Sequence, residues 1–496
     1  MSVRRARTVL VLCGFNVAIL QLFLVKELSS LLLAAEVALT LVTTAYFAGF
    51  SVGYVVAHRL SPQTLARIGL AAFFLHLALP FLPRAVVGLF HDWGLRAFVP
   101  FVLVGVAVFG GTAFYSIFLP RLVERAAAGA VPFRIYMTFE VIGMLSGLVV
   151  MFIASKAPFA IVYAASAAAF ITILHLTTGP HVFGRATAAV LAPFALVQAL
   201  AFEQLDFAST AYAYRNIYDF KELRTVESAH SLYQRIAVVQ AKSGTRFLYL
   251  DGFQHFGSSD LSRFNDLIAG LPSSMNSLGS VLIVGSGSFF AADRASETAA
   301  RVMNVEIDER VAEIGLRDLR RGKRPAEKAA WSMEVDDAKH FVATTAERFD
   351  VIAMDIAGPF QFQVALLYTR EFYEAAKRAL TPRGVVAVQL SGGFATPGPN
   401  ATRIAATLNS VFREVFVVDP HGGDTAFAYA SDAPGFGVRE IIAWLDARSI
   451  KARVYGADDV RLKVRATPPF SKGSMDTVVV EGLKRLWNRF FRARRP

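Results

Sequence analysis

Apolar and polar positions divide the chain into two halves with different periods. Up to about position 207, apolar runs of roughly 20 residues alternate with short basic breaks, as in a bundle of membrane-crossing helices. The runs cover 8–33, 37–57, 66–90, 97–119, 134–154, 158–178 and 186–203, which predicts about seven spans. The third holds Pro80 and Pro83 and is expected to break there. Beyond 208 the runs shorten. Residues 222–250 alternate and predict antiparallel strands, with turns at Lys242-Ser243-Gly244 and Asp251-Gly252. A helical stretch runs from Ser262 to Ala269. Short continuous apolar runs then appear at 281–284, 301–307, 349–354 and 384–390, with a helical pattern at 370–380. Strands buried on both faces read this way, and their alternation with helices predicts a doubly wound, mainly parallel sheet.

Composition sharpens the first half. The 496 residues are 54% hydrophobic and the mean hydropathy is +0.44, which is rarely seen in a soluble chain of this length. The net charge of +12 reads as attraction to a membrane surface, because many basic residues flank apolar runs. Membrane lipid is therefore an expected partner, and nucleic acid is not. The single cysteine, Cys13, excludes an intrachain disulfide and a cysteine-based cluster, and no metal is expected. Arg4, Arg5 and Arg7 precede the first run without a small-residue cleavage site, so a removed signal peptide is rejected.

Orientation exposes a conflict. Arg4, Arg5, Arg7, Arg59, Arg67, Arg121, Arg125, Arg134 and Arg185 fall on one side, and Lys26, Arg84, Arg96 and Lys156 on the other. The positive-inside rule puts the N-terminus in the cytoplasm, and seven crossings then put the second half outside. We adopt an even count, with the proline-broken third run as the miscounted span. That makes a multi-pass inner-membrane protein with a cytoplasmic second half. Lys26 and Glu27 are placed to pair or to face the bundle interior. Glu36 reads as interfacial. Glu140, beside Gly143, Ser146 and Gly147, reads either as a structural hydrogen bond or as part of a polar pathway.

The candidate chemistry starts at Val281-Leu282-Ile283-Val284, followed by Gly285-Ser286-Gly287 and a strand ending at Glu306 and Asp308. Such a unit lets the backbone approach a ligand closely, and the acidic residue about 20 positions on can hold ribose hydroxyls. Gly287, Glu306, Asp337 and Asp355 all fall at or just after predicted strand ends, where ligands of doubly wound sheets bind. Asp355 is either a general base or a cap for the next segment.

These pieces carry a resemblance to the spermidine synthases (polyamine aminopropyltransferases), in their membrane-bound bacterial branch, over roughly 225–430. Ser231-Leu232-Tyr233-Gln234, Leu250-Asp251-Gly252, Asp260, Phe264-Asn265-Asp266, Leu271-Pro272, the 281–287 loop, Glu306, Asp336-Asp337-Ala338, Asp355 and Tyr368 to Tyr373 match its motifs in order. The fold implied is a multi-pass α-helical membrane domain (1–207), then a linker and small β subdomain (208–275). An α/β Rossmann-like, class I methyltransferase-like domain (276–470) and a basic amphipathic tail (471–496) complete it. For the tail, an interfacial helix and a disordered basic end remain open.

The resemblance implies S-adenosylmethionine or decarboxylated S-adenosylmethionine as co-substrate. Tyr233, Gln234, Gly285, Ser286, Gly287, Glu306, Asp337 and Ala338 would bind it, with Asp355 as catalytic base. His255, Phe264, Asn265, Ser288 and Tyr368 would line the pocket of a small-molecule acceptor, and a homodimer is a further option. The sequence departs from the family on the acceptor side. Ser288 stands where an Asp is usual, Gly358 replaces the second acid of D-x-x-D, and Phe264, Asn265 and Asp266 replace Tyr and His/Gln-Glu. Aminopropyl-type transfer to an amine or other acceptor leads. Methyl transfer to a membrane-delivered acceptor and a non-catalytic nucleoside sensor or transport partner are the alternatives.

Overall fold

The computed structural model describes residues 3–480 apart from 33–34, 93–97, 127–132, 154–158, 179–184, 219, 221, 258–261, 277–278, 397, 424, 475–477 and 479. Asp260, the side chain of Glu36 and the tail from 481 onward therefore lie outside the described residues. Among the described residues the chain forms two compact units: up to 244 with 249–254, and 245–248 with 255–480.

The first unit contains α1 (Val3–Leu32), α2 (Ala35–Val56), α3 (Pro62–Ala78), α4 (Leu82–Asp92), α5 (Phe98–Ser116), α6 (Phe118–Ala126), α7 (Phe133–Ile153), α8 (Phe159–Thr178), α9 (Arg185–Leu200) and α10 (Phe202–Ile217). Among the described residues five stretches are long and apolar enough to cross a membrane, or seven if the bent pairs α3–α4 and α9–α10 each make one span. The 76° bend between α3 and α4 falls between Pro80 and Pro83, as expected where backbone N–H groups are missing. If the proline-broken pair α3–α4 is not a span and α9–α10 is, the count is six, so the described helices allow the even number expected from the sequence without fixing it.

Small residues and polar pins order this bundle. A Cβ at Gly14, Gly143 or Gly147 would collide with the backbone across the α1–α7 crossing, and Glu140 is buried beside it. Elsewhere, Ser166 Oγ donates to Asn16 Oδ1 at 2.8 Å. Its only hydrogen is then used, so His76 Nε2 donates to Ser166 at 3.2 Å. His76 Nδ1 must accept from Tyr115 Oη at 3.3 Å, which in turn accepts from Asn16 Nδ2 at 3.1 Å. The ring closes with a neutral imidazole and joins α1, α3, α5 and α8.

A charged cluster occupies one end of the unit. Lys26 and Glu27 do not pair with each other. Glu27 is fully buried and meets Arg84 Nε at 3.2 Å, Arg235 Nε at 3.0 Å and His230 Nε2 at 3.2 Å, while Arg84 also meets Asp206. Lys26 Nζ donates to the carbonyl of Ser231. The antiparallel strands β1 (Leu223–His230) and β2 (Arg235–Ala241) are thus gripped at their turn. With β3 (Arg246–Leu250) and β4 (Phe253–Gly257) they make a four-stranded sheet in sequence order.

The second unit is built on β5 (Ser280–Gly285), β6 (Arg301–Glu306), β7 (Ala330–Val335), β8 (Phe349–Asp355), β9 (Leu380–Gln389), β10 (Glu414–Pro420), β11 (Phe427–Ser431) and β12 (Ala452–Tyr455). Their order is β12-β10-β11-β9-β8-β5-β6-β7. Strands β5 to β9 run parallel, and β10, β11 and β12 pair antiparallel. Alternate residues of each central strand enter opposite cores: Leu282 and Val284 one, Val281 and Ile283 the other. This is why the run is continuously apolar. Strand β5 lies between β8 and β6, so the strand order reverses there and a crevice opens above its carboxyl end.

Candidate active site

Register places the candidate carboxylates in one row. Gly285 faces Asp355 across β5–β8, Val284 faces Val305 just before Glu306, and Glu306 faces Val335 just before Asp336-Asp337. The chain leaves β5 through Gly285 (φ +80) and Ser286 (φ +65). A Cβ at Gly285 would collide with the Asp355 carbonyl, and Ser286 N donates to that carbonyl at 3.0 Å. A Cβ at Gly287 would strike Val311, and one at Gly315 would strike the Gly287 carbonyl. The glycine thus also admits the neighbouring helix Glu309–Ile314 and its continuation.

Glu306 and Asp355 are 7% and 5% exposed. Burial raises the Glu306 carboxyl to about 7; the charges of Asp308 and Asp355 add to the rise, and backbone N–H groups of Asp308 and Ile307 oppose it. Burial raises Asp355 to about 6, partly offset by the Ser286 hydroxyl. Asp355 Oδ2 has no hydrogen-bond partner among the described residues. No ion pair reaches either carboxylate there, so both are poised for a cation the protein does not itself supply.

Asp337 is placed differently. Its Oδ1 caps the helix Ala338–Thr344 through Lys339 N at 2.9 Å, and its Oδ2 pairs with Lys339 Nζ at 2.9 Å. It stands beside Glu306, because Asp336 N donates to the Glu306 carbonyl at 3.2 Å, but an adenine amine would have to compete with Lys339. Ala338 is buried at the start of that helix.

Of the acceptor-side candidates, Ser288 and Asn265 are buried, and Phe264 packs edge-on against Phe427. Asp266 is paired with Arg294 Nε at 3.1 Å. Tyr368 Oη donates to the Ala357 carbonyl at 2.8 Å, bracing the loop after Asp355. His255 lies on β4, with burial lowering its imidazole to about 4. Tyr233 and Gln234 sit in the β1–β2 turn of the first unit, where both N–H groups donate to Ser231 Oγ at 3.1 Å.

Sequence reasoning missed a second brace. Gln389 Nε2 donates to the Ile356 carbonyl at 2.7 Å, and Ser391 (φ +55) brings its hydroxyl against Gly358 of the same loop. The Leu390-Ser391-Gly392-Gly393 turn after an apolar strand repeats the signal read at 285–287 and could have revealed it. Among the described residues no group of three or more His, Cys, Asp and Glu could hold a metal ion.

The second unit is thus an α/β unit with a reversed-order, mainly parallel sheet and two buried carboxylates at the strand ends flanking β5. Residues 262–418 match the spermine/spermidine synthase domain. The polyamine aminopropyltransferase of Mycobacterium tuberculosis (strain CDC 1551 / Oshkosh) is 32% identical over 212 residues, covering 40% of this chain and 40% of the relative. That of Nitrosomonas europaea is 29% identical over 222 residues, covering 42% and 68%. The chain thus spans about 40% of the length of the first of these relatives. Among solved structures, a probable spermidine synthase from Corynebacterium glutamicum is 18% identical over 50% of this chain and 96% of its own, with TM-score 0.42.

Proposed function

We propose that the chain is a membrane-bound transferase that moves an aminopropyl group from decarboxylated S-adenosylmethionine to an amine. The observation that carries this is the pair Glu306 and Asp355, buried at the strand ends on either side of β5 and met by no ion pair among the described residues. A nucleoside bearing a sulfonium supplies the missing positive charge. Glu306 would accept hydrogen bonds from the ribose diol, with Ser286 and Gly287 shaping the turn beneath it. Asp337 and Ala338 are retained as contacts for the rest of the nucleoside. The acceptor nitrogen attacks the carbon beside the sulfonium. The C–S bond breaks, its electron pair passes to sulfur, and methylthioadenosine leaves as a neutral thioether. The proton lost by nitrogen goes to Asp355, whose raised pKa suits a base near neutral pH.

The helices of the first unit are read as crossing the inner membrane, from their length and apolar surface. Purified protein given labelled decarboxylated S-adenosylmethionine and an amine is expected to release methylthioadenosine. Asp355→Asn is expected to reduce the rate about 100-fold or more while calorimetry still finds the donor bound. Given S-adenosylmethionine, release of S-adenosylhomocysteine would instead establish methyl transfer. Donor binding without release of either product, unchanged in Asp355→Asn, would make the protein a nucleoside sensor.

A further inference from the structure

We propose that the acceptor end of this pocket is built for an amine carrying a single positive charge on an apolar body, not for a diamine, and that Ser391, Tyr368 and Phe360 set this preference. The inference rests on the transferase reading of the same site.

Three observations carry it. The loop leaving Asp355 has no space for a second carboxylate. A Cβ at Gly358 would collide with the Ser391 hydroxyl and the Phe360 ring, so those two groups already fill the volume a side chain at 358 would need. Tyr368 is tied to the Ala357 carbonyl at 2.8 Å. Gln389 holds Ile356 at 2.7 Å. The loop is therefore braced in this form on two consecutive carbonyls. The second observation concerns the other acid of the region. Asp266 is neutralised by Arg294 at 3.1 Å and cannot serve a substrate ammonium without giving up that partner. The third is the neighbouring charge balance: Asp293 is paired with Arg320 at 2.6 Å and Asp337 with Lys339 at 2.9 Å.

Among the described residues no ion pair reaches Glu306 or Asp355, and these two balance incoming charge. The sulfonium occupies one equivalent, and the reacting amine shares the other. A second ammonium beside the 356–360 loop would be desolvated against a hydroxyl and an aromatic ring, with no carboxylate in that loop to meet it. An alkyl end meets Phe360 favourably.

The test compares butylamine with putrescine, which differ by the terminal ammonium, in methylthioadenosine release by the full chain in lipid nanodiscs. Butylamine is expected to show at least a tenfold higher kcat/KM. Ser391→Asp places a carboxylate in the volume Ser391 now fills. It is expected to shift the ratio at least tenfold toward putrescine through KM, with donor affinity unchanged by calorimetry. Ser391→Ala, which adds no charge, is expected to leave the ratio on the butylamine side. A parent preference for putrescine, or release with neither amine while the donor binds, overturns the proposal. Failure of the parent to bind the donor at all overturns the transferase reading beneath it.

Discussion

Glu306 answers to two opposed demands. Recognition wants its carboxylate ionised, and burial resists that, holding its pKa at about 7 and that of Asp355 at about 6. Unfolded Glu and Asp titrate near 4. In the ligand-free protein the folded state therefore binds these protons more tightly than the unfolded state. Their contribution favours folding at low pH and is lost as pH rises from about 4 to about 7. Glu306→Gln removes the buried charge. At pH 8 it is expected to raise Tm by a few degrees, roughly 2–4 °C, and at pH 4.5 to leave it unchanged. Donor affinity should fall at least about tenfold, because a charged hydrogen-bond acceptor is lost. Thermal melts at the two pH values and calorimetric titration check both halves. A variant no more stable at pH 8 would show that Glu306 is not the strained carboxylate its burial implies.

At the scale of elements, the sequence was most legible where one strand does one thing. The run Val281 to Val284 is apolar throughout because its alternate residues enter separate cores, and the Gly285 turn is demanded by the nearby Asp355 carbonyl. Glu306 and Asp355 could be found because a strand's last residue is fixed by the strand itself. Asp337 and Asp266 were harder. Whether a carboxylate is free depends on Lys339 and Arg294, and only the folded arrangement shows them engaged. Gly315 was invisible as well, since its partner Gly287 lies 28 positions earlier and glycine within a helix carries no signal of its own. Gly315→Ala is expected to destabilise the second unit by about 1–3 kcal/mol, because the obstacle is a backbone carbonyl and not a flexible side chain. Urea melts measure this. Donor affinity should fall with it, as the displaced carbonyl belongs to the turn beneath Glu306.

Across the whole molecule, charge and geometry in the helical unit agree on its polarity. Arg4, Arg5 and Arg7 open α1, Arg59 ends the short turn after α2, and Arg121 donates to the Leu60 carbonyl at 2.6 Å. All lie at one end. Lys26 and Glu27, about 33 Å farther along α1 at 1.5 Å per residue, hold the β1–β2 turn at the other. Among the described residues no helix beyond α10 is long and apolar enough to cross back. In intact cells, with Cys13→Ser as background, Arg59→Cys is expected to be protected from an impermeant maleimide and Lys242→Cys to be labelled. Labelling of both would overturn the two-faced geometry, and reversed labelling would overturn the arginine rule for this chain.

The grip on that turn has one more consequence, for how the chain can be divided. Glu27 and Asp206 are balanced by Arg84 and Arg235, two acids against two bases, and the fourth member is the only one contributed from beyond the helices. A fragment ending after α10 would be left one guanidinium short, with a stranded buried anion at one end of its bundle. The helices are thus electrically incomplete until the ribosome has carried the chain past position 235, and no expression of them by themselves reproduces the state they hold in the full protein.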